Sequence, residues 1–157
     1  MKEITAPEAL HKAAAYCSRS EHCISEIREK LRLWGLPSEE AQGVIDRLLK
    51  EKFIDEARYC KSFVNDKYKY NRWGRIKIGY ALKMKRIPDP LVYDAMDEVI
   101  DEDLYRENLL ALLREKKKTT RSVNAHDEYG KLYRFAAGRG FDSSEISTAI
   151  KQLNGRD

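Results

Sequence analysis

Residues 72–90 read RWGRIKIGYALKMKRIPDP. Ile78, Leu82 and Ile87 fall at helical spacings, with most of the basic side chains between them. Such a stretch reads as a helix that buries one stripe and presents a cationic face. From Lys61 to Ile87, nine Lys or Arg (Lys61, Lys67, Lys69, Arg72, Arg75, Lys77, Lys83, Lys85, Arg86) stand against one acid, Asp66. The stretch closes on a turn, RIPDP from Arg86, and turns of related chemistry occur twice more: GLPSEE from Gly35 and GFDSSE from Gly140. That recurrence decides the fold.

With Leu36, Ile87 and Phe141 as anchors, the flanking sequence aligns in three copies. Nine residues upstream lie Ile27, Ile78 and Leu132, and five upstream lie Leu31, Leu82 and Ala136. Five, nine and twelve residues downstream lie Ala41, Val92 and Ile146, then Ile45, Met96 and Ile150, then Leu48, Val99 and Leu153. Every one is apolar, at the spacing of two amphipathic helices meeting at a turn. Gly35 and Gly140 suit the left-handed end of a helix. At Arg86 the middle copy lacks that glycine, so its helix ends differently or leaves a basic side chain at an exposed corner. Ser38 with Glu40, Asp89 before Pro90, and Ser143 or Ser144 are the expected caps of the helices that follow.

A further helix precedes each pair. PEALHKAAAYC (7–17) starts with proline. DEARYCKSFVNDKYK (55–69) starts with a capping acid and lines up Tyr59, Phe63 and Val64. DLYRENLLALLREKKK (103–118) lines up Leu104, Leu109, Leu112 and Leu113. The expected fold is all-α: an elongated, curved array of three tandem three-helix repeats spanning 7–53, 54–102 and 103–157. A flexible tail at 1–6, a mobile loop near 119–127 (TTRSVNAHD) and a short C-terminal tail complete it. Units this small cannot stand alone, so neighbours must share a core.

The chain of 157 residues is 42% hydrophobic and 36% charged, as suits a soluble helix-rich protein, and its net charge is only +4. Its charges are zoned. After the basic middle comes an acidic block from Asp94 to Glu107, and then Arg114, Lys116, Lys117, Lys118 and Arg121 restore the positive sign. The N-terminus lacks the apolar core of a signal peptide, and no window is long and apolar enough to span a membrane. Cys17, Cys23 and Cys60 have no framework spacing and read as reduced, small core residues, consistent with a cytoplasmic protein.

In this order and spacing the residues resemble the RecX family of bacterial recombinase regulators. The resemblance rests on Arg19-Ser20, Ser25-Glu26-Ile27, Lys30-Leu31 and Gly35, then on Phe53-Ile54-Asp55-Glu56-Ala57-Arg58-Tyr59 and Phe63-Val64. It continues with Trp73-Gly74-Arg75-Ile76, Leu82-Lys83 and the Gly140-Phe141 corner, and covers about residues 7–153. It implies tandem three-helix units, binding to the filament that a RecA-type recombinase forms on DNA, and modulation of RecA, usually inhibition. The family has no catalytic residues to carry over. His22 and Cys23 depart from the usual pattern, as does Asn71-Arg72-Trp73 before Gly74, and the third unit diverges most.

Arg72, Arg75, Lys77, Lys83, Lys85 and Arg86, with Trp73, Lys67 and Lys69, form the candidate contact surface for a RecA filament or DNA. Lys and Arg would meet phosphates while Tyr68, Tyr70, Trp73 and Tyr80 stack on bases. The competing reading is that Trp73 and Tyr80 belong to the core and the bases solvate a helix. Arg19, Lys30, Arg32, Arg114, Lys116, Lys117 and Lys118 form a secondary basic surface, although cations at a helix end also complement its dipole. Asp94, Asp97 and Asp101 share a helix face without the loop of a calcium site. Cys17, His22 and Cys23 lack the spacing of a zinc site, and no G-x-x-x-x-G-K-[ST] phosphate loop occurs. The expectation is therefore a monomeric non-enzyme with no metal, no cofactor and no membrane partner. It regulates the recombinase filament, or alternatively binds single- or double-stranded DNA directly.

Overall fold

The computed structural model describes residues 4–155. Residues 1–3 of the expected N-terminal tail and residues 156–157 at the other end lie outside the described residues. Among the described residues there is no strand. Nine helices run in order among these residues: α1 (Ala6–Arg19), α2 (Ile24–Leu33), α3 (Ser38–Lys50), α4 (Glu56–Lys69), α5 (Arg75–Met84), α6 (Asp89–Val99), α7 (Glu102–Thr119), α8 (Ala125–Gly138) and α9 (Ser143–Gly155). They form three successive triplets, the all-α tandem three-helix repeat.

The anchors sit at one recurring piece of backbone. Leu36, Ile87 and Phe141 donate their N–H groups to the carbonyls of Leu31, Leu82 and Ala136, five residues back. The residues before them, Gly35, Arg86 and Gly140, donate to Arg32, Lys83 and Ala137, three residues back. These paired bonds make a Schellman ending, whose penultimate residue must be left-handed. Accordingly φ is 85° at Gly35, 63° at Arg86 and 102° at Gly140. Arg86 thus ends its helix as the glycines do, and its side chain stands exposed.

The repeat pattern is also the burial pattern. Apart from Val99 and Leu153, which are half-buried, every aligned apolar position is buried. Fully burying one Ile or Leu contributes roughly 1.5–3 kcal/mol, so these positions hold much of each triplet together.

The helix starts correct several expectations. Pro37 and Asp142, not Ser38 and the Ser143–Ser144 pair, precede α3 and α9. Their carbonyls accept from Ala41 and Ile146, and Asp142 closes a reciprocal box with Glu145. In the middle copy the Pro88 carbonyl accepts from Val92. α7 begins at Glu102 under the carboxylate of Asp101. This puts Tyr105, rather than Leu104, at the buried position. A proline or carboxylate directly after the anchor starts each helix one residue earlier than the expected caps Ser38, Asp89 and Ser143 suggest.

Packing divides the chain into two compact units: residues up to Ser62 with Leu82–Tyr93, and Phe63–Ala81 with the chain from Asp94 onward. In the first, Ala9, Ala13 and Cys17 of α1 meet Ile27 and Leu31 of α2 and Val44, Ile45 and Leu48 of α3. In the second, α7, α8 and α9 pack on one another. There the buried amide of Asn108 donates to the Tyr68 carbonyl at 2.7 Å, satisfying a carbonyl left open near the end of α4.

Candidate functional site

The basic stretch centres on α5. A helix start leaves its first N–H groups without intrahelical partners. Here the second unit supplies acceptors for three of them: Gly74 donates to the Arg139 carbonyl (2.8 Å), Arg75 to the Tyr105 hydroxyl (2.9 Å) and Ile76 to the Gly140 carbonyl (3.0 Å). The start of α5 is thereby pinned to the α8–α9 turn. Burial pushes the Tyr105 phenol up to about 12, so it serves as a neutral donor and acceptor at every physiological pH.

Three of the six central bases are occupied within their own units. Arg75 lies over the Tyr105 ring, 4.3 Å from its centroid, and pairs with Glu102 and with Glu145 (3.6 Å). Arg72, left-handed at φ 55°, reaches Glu115 at 3.2 Å. Lys85 donates to Glu26 at 2.7 Å. Glu26 also accepts from the Cys23 N–H and lies within hydrogen-bonding distance of His22 and the Tyr59 hydroxyl.

Lys67 and Lys77 both stand over the Trp73 ring, their ammonium groups 4.8 and 4.6 Å from its centre, and the indole is half-buried. The remaining candidates, Lys69, Lys83 and Arg86, are exposed. Among the described residues, no acid or hydrogen-bond acceptor engages their side chains.

The secondary surface is similarly mixed. Arg19 and Lys30 lie over Tyr16, and Arg32 forks onto Glu29. Arg114 pairs with Glu107, Lys116 lies over Phe135, and Lys117 reaches Asn154 and Glu128. Lys118 is exposed. In the first unit, Arg28, Arg32 and Arg86 line a groove of about 450 Å³ together with Glu29, the acid that Arg32 engages, and with Ser25 and Ser38. This assembly of arginines is not visible as a cluster in the sequence.

Tyr80 is not a core residue, since 65% of it is exposed. Ile76 and Met84, on the same face of α5, are 59% and 66% exposed. Sequence reasoning missed this stripe, although the spacing 76, 80, 84 carries the signal. α5 has a second apolar line, Ile78 and Leu82, and only one of the two could face inward. The three thiols, Cys17, Cys23 and Cys60, are buried and not disulfide-bonded. Burial raises all of them, Cys17 and Cys60 to about 11. Among the described residues no group of His, Cys, Asp or Glu could hold a metal ion, and no helix is long and apolar enough to cross a membrane.

Three like triplets, each closed at its second helix by the same left-handed corner, define a tandem three-helix repeat protein with a cationic middle. The families described as "RecX, first three-helix domain", "RecX, second three-helix domain" and "RecX, third three-helix domain" match residues 9–48, 55–96 and 103–150 in that order. The chain belongs to the RecX family. It is 28% identical over 153 residues to the regulatory protein RecX of Prosthecochloris aestuarii, covering 98% of each chain. With the regulatory protein RecX of Vibrio parahaemolyticus it shares 31% identity over 147 residues, 92% of each. The crystal structure of RecX from Lactobacillus salivarius has the same fold, with a TM-score of 0.81 at 22% identity over 95% of this chain and 96% of that one.

Proposed function

We propose that this protein is a cytoplasmic, monomeric regulator that binds the filament of a RecA-type recombinase on DNA. It restrains ATP turnover and strand exchange in recombinational DNA repair by occupying the filament, with no chemistry of its own. The observation that carries this reading is the match of all three RecX domains, in order, along nearly the whole chain, to relatives that bear the name regulatory protein. Tandem repeats suit the task, because successive like units can engage successive subunits of a helical polymer. Lys69, Lys83 and Arg86 lead the contact set because no acid among the described residues neutralises their charges. Arg72, Arg75 and Lys85 hold their own units together first.

The test is titration of the full chain against RecA filaments on single-stranded DNA, against the bare strand and against duplex, at two salt concentrations. Binding to filaments with negligible binding to bare DNA, together with slowed ATP turnover, is expected. A second reading, direct DNA binding, draws on the groove with Arg28, Arg32 and Arg86. It predicts equal affinity for filament and bare strand, with a salt slope of roughly 0.7–0.9 per phosphate neutralised.

A further inference from the structure

The outward face of α5 is unlike that of its counterparts. At 100° per residue, Ile76, Tyr80 and Met84 form one line along the helix, opposite the buried Ile78 and Leu82. Lys77 and Lys83 border that line, and no acid occurs between Lys67 and Pro88. The repeat provides its own control. Counted from the anchors, the positions equivalent to 76, 80 and 84 are Ser25, Glu29 and Leu33 in α2, and Gly130, Arg134 and Gly138 in α8. The scaffold therefore folds with polar or small residues at nearly all of these positions. Three large apolar side chains, each more than half exposed in a single row, answer no demand of the fold.

We propose that the stripe Ile76–Tyr80–Met84 docks α5, helix in groove, onto a protein subunit of the filament, in an apolar groove with an acidic rim. Anchors at i, i+4 and i+8 are the pattern by which a helix enters a protein groove. Isoleucine and methionine offer no aromatic platform for unstacked bases and no group that reads a base edge, which favours protein over nucleic acid as the occupant. Lys77 and Lys83 beside the stripe complement acids at the groove's edge and resist pairing with a second, equally basic α5. The inference rests on the filament-binding reading and adds to it a contact that is apolar and insensitive to salt.

The experiment compares the full chain with a variant carrying Ile76→Gln, Tyr80→Gln and Met84→Gln. Glutamine favours helix, and exposed changes of this kind leave stability nearly unaltered. Circular dichroism and thermal melting of both chains establish that the variant is folded. Binding is measured at low and high salt to RecA filaments on single-stranded DNA and to the bare strand, and sedimentation reports self-association. The expected result is a loss of roughly tenfold or more on filaments, undiminished at high salt, with bare-DNA binding unchanged. Equal filament binding by both chains overturns the inference and leaves the proposed function standing. An equal loss on bare DNA, or dimerisation of the parent chain that the variant abolishes, assigns the stripe to another occupant and also overturns it. Failure of the parent chain to bind filaments at all removes both readings.

Discussion

Gly74 and Gly140 meet backbone to backbone, with no room for a side chain on either. A methyl group on Gly74 would lie 2.3 Å from the carbonyl carbon and oxygen of Gly140, and one on Gly140 would lie 2.4 Å from Cβ of Lys77. The contact exists because the α8–α9 turn offers the Arg139 and Gly140 carbonyls to the opening N–H groups of α5. Gly74→Ala should therefore separate these hydrogen bonds and cost about 3 kcal/mol in urea unfolding. Gly43 in α3 is exposed with open space around its Cα. Gly43→Ala should instead gain about 0.5–1 kcal/mol through helix propensity. A neutral Gly74→Ala would show that the turn is free to move away.

Arg86 predicts a split between stability and binding. Its left-handed backbone costs a residue with a Cβ roughly 1–2 kcal/mol, while glycine gives part of this back through greater freedom in the unfolded chain. Arg86→Gly should thus raise stability by about 0.5–1 kcal/mol, or roughly 2 °C in melting midpoint. The same change should weaken filament binding. Gly35→Ala places a methyl group at the equivalent corner in open space, and should cost about 1 kcal/mol from conformation alone. If Arg86→Gly raises stability and binding is unchanged, Arg86 is not a contact.

The repeat was legible because three copies of one burial pattern reinforce each other. Leu36, Ile87 and Phe141 are each decisive only in company, and the backbone bonds they make are the same. What the candidate site does with its charges was not legible. Arg75 meets Glu102 and Glu145, which lie 27 and 70 residues away in the chain, and no local pattern selects those acids from the acidic blocks. The face of α5 was ambiguous for a related reason. A helix with two apolar lines gives periodicity no means of choosing between them, and neighbouring helices make the choice. Asp142 and Pro37 were overlooked as helix starts because serine is a common cap wherever it stands, and only the backbone reveals which residue precedes the first turn.

Glu26 and Glu56, both in the first unit, should respond to acid in opposite directions. Burial pulls Glu26 upward, but Lys85, the Cys23 N–H and His22 outweigh it and hold its carboxyl below the ordinary range. Such a group stabilises the fold above its unfolded value near about 4.3, and the contribution disappears as pH falls through the lower folded value. Burial raises Glu56, with the Ile24 N–H opposing. Its ionisation therefore costs stability above the raised folded value, and acid relieves that cost. Glu26→Gln should lose about 1 kcal/mol at neutral pH, with the deficit closing below about pH 4. Glu56→Gln keeps an oxygen for Ile24 and should be neutral or stabilising at pH 7. Urea midpoints across this range check both; a Glu26→Gln deficit that persists in acid would be one of packing rather than charge.

Charge reversal should separate bases that hold the fold from bases that face a partner. Lys69→Glu with Lys83→Glu changes two exposed side chains without a hydrogen-bond or ion-pair partner among the described residues, so melting should move by no more than about 0.5 kcal/mol. Filament binding should fall, most strongly at low salt, because exposed charges are screened over roughly 10 Å at 0.1 M. Where these lysines meet phosphates, the salt slope should drop by roughly 0.7–0.9 for each. Arg75→Glu is the contrasting variant. It removes the guanidinium from the Tyr105 ring and places a carboxylate beside Glu102 and Glu145, which should destabilise the second unit by about 2 kcal/mol. Loss of filament binding in Arg75→Glu would therefore track unfolding, and chemical denaturation run beside the titration distinguishes the two causes. Full filament affinity and full inhibition in the double lysine variant would remove Lys69 and Lys83 from the contact surface.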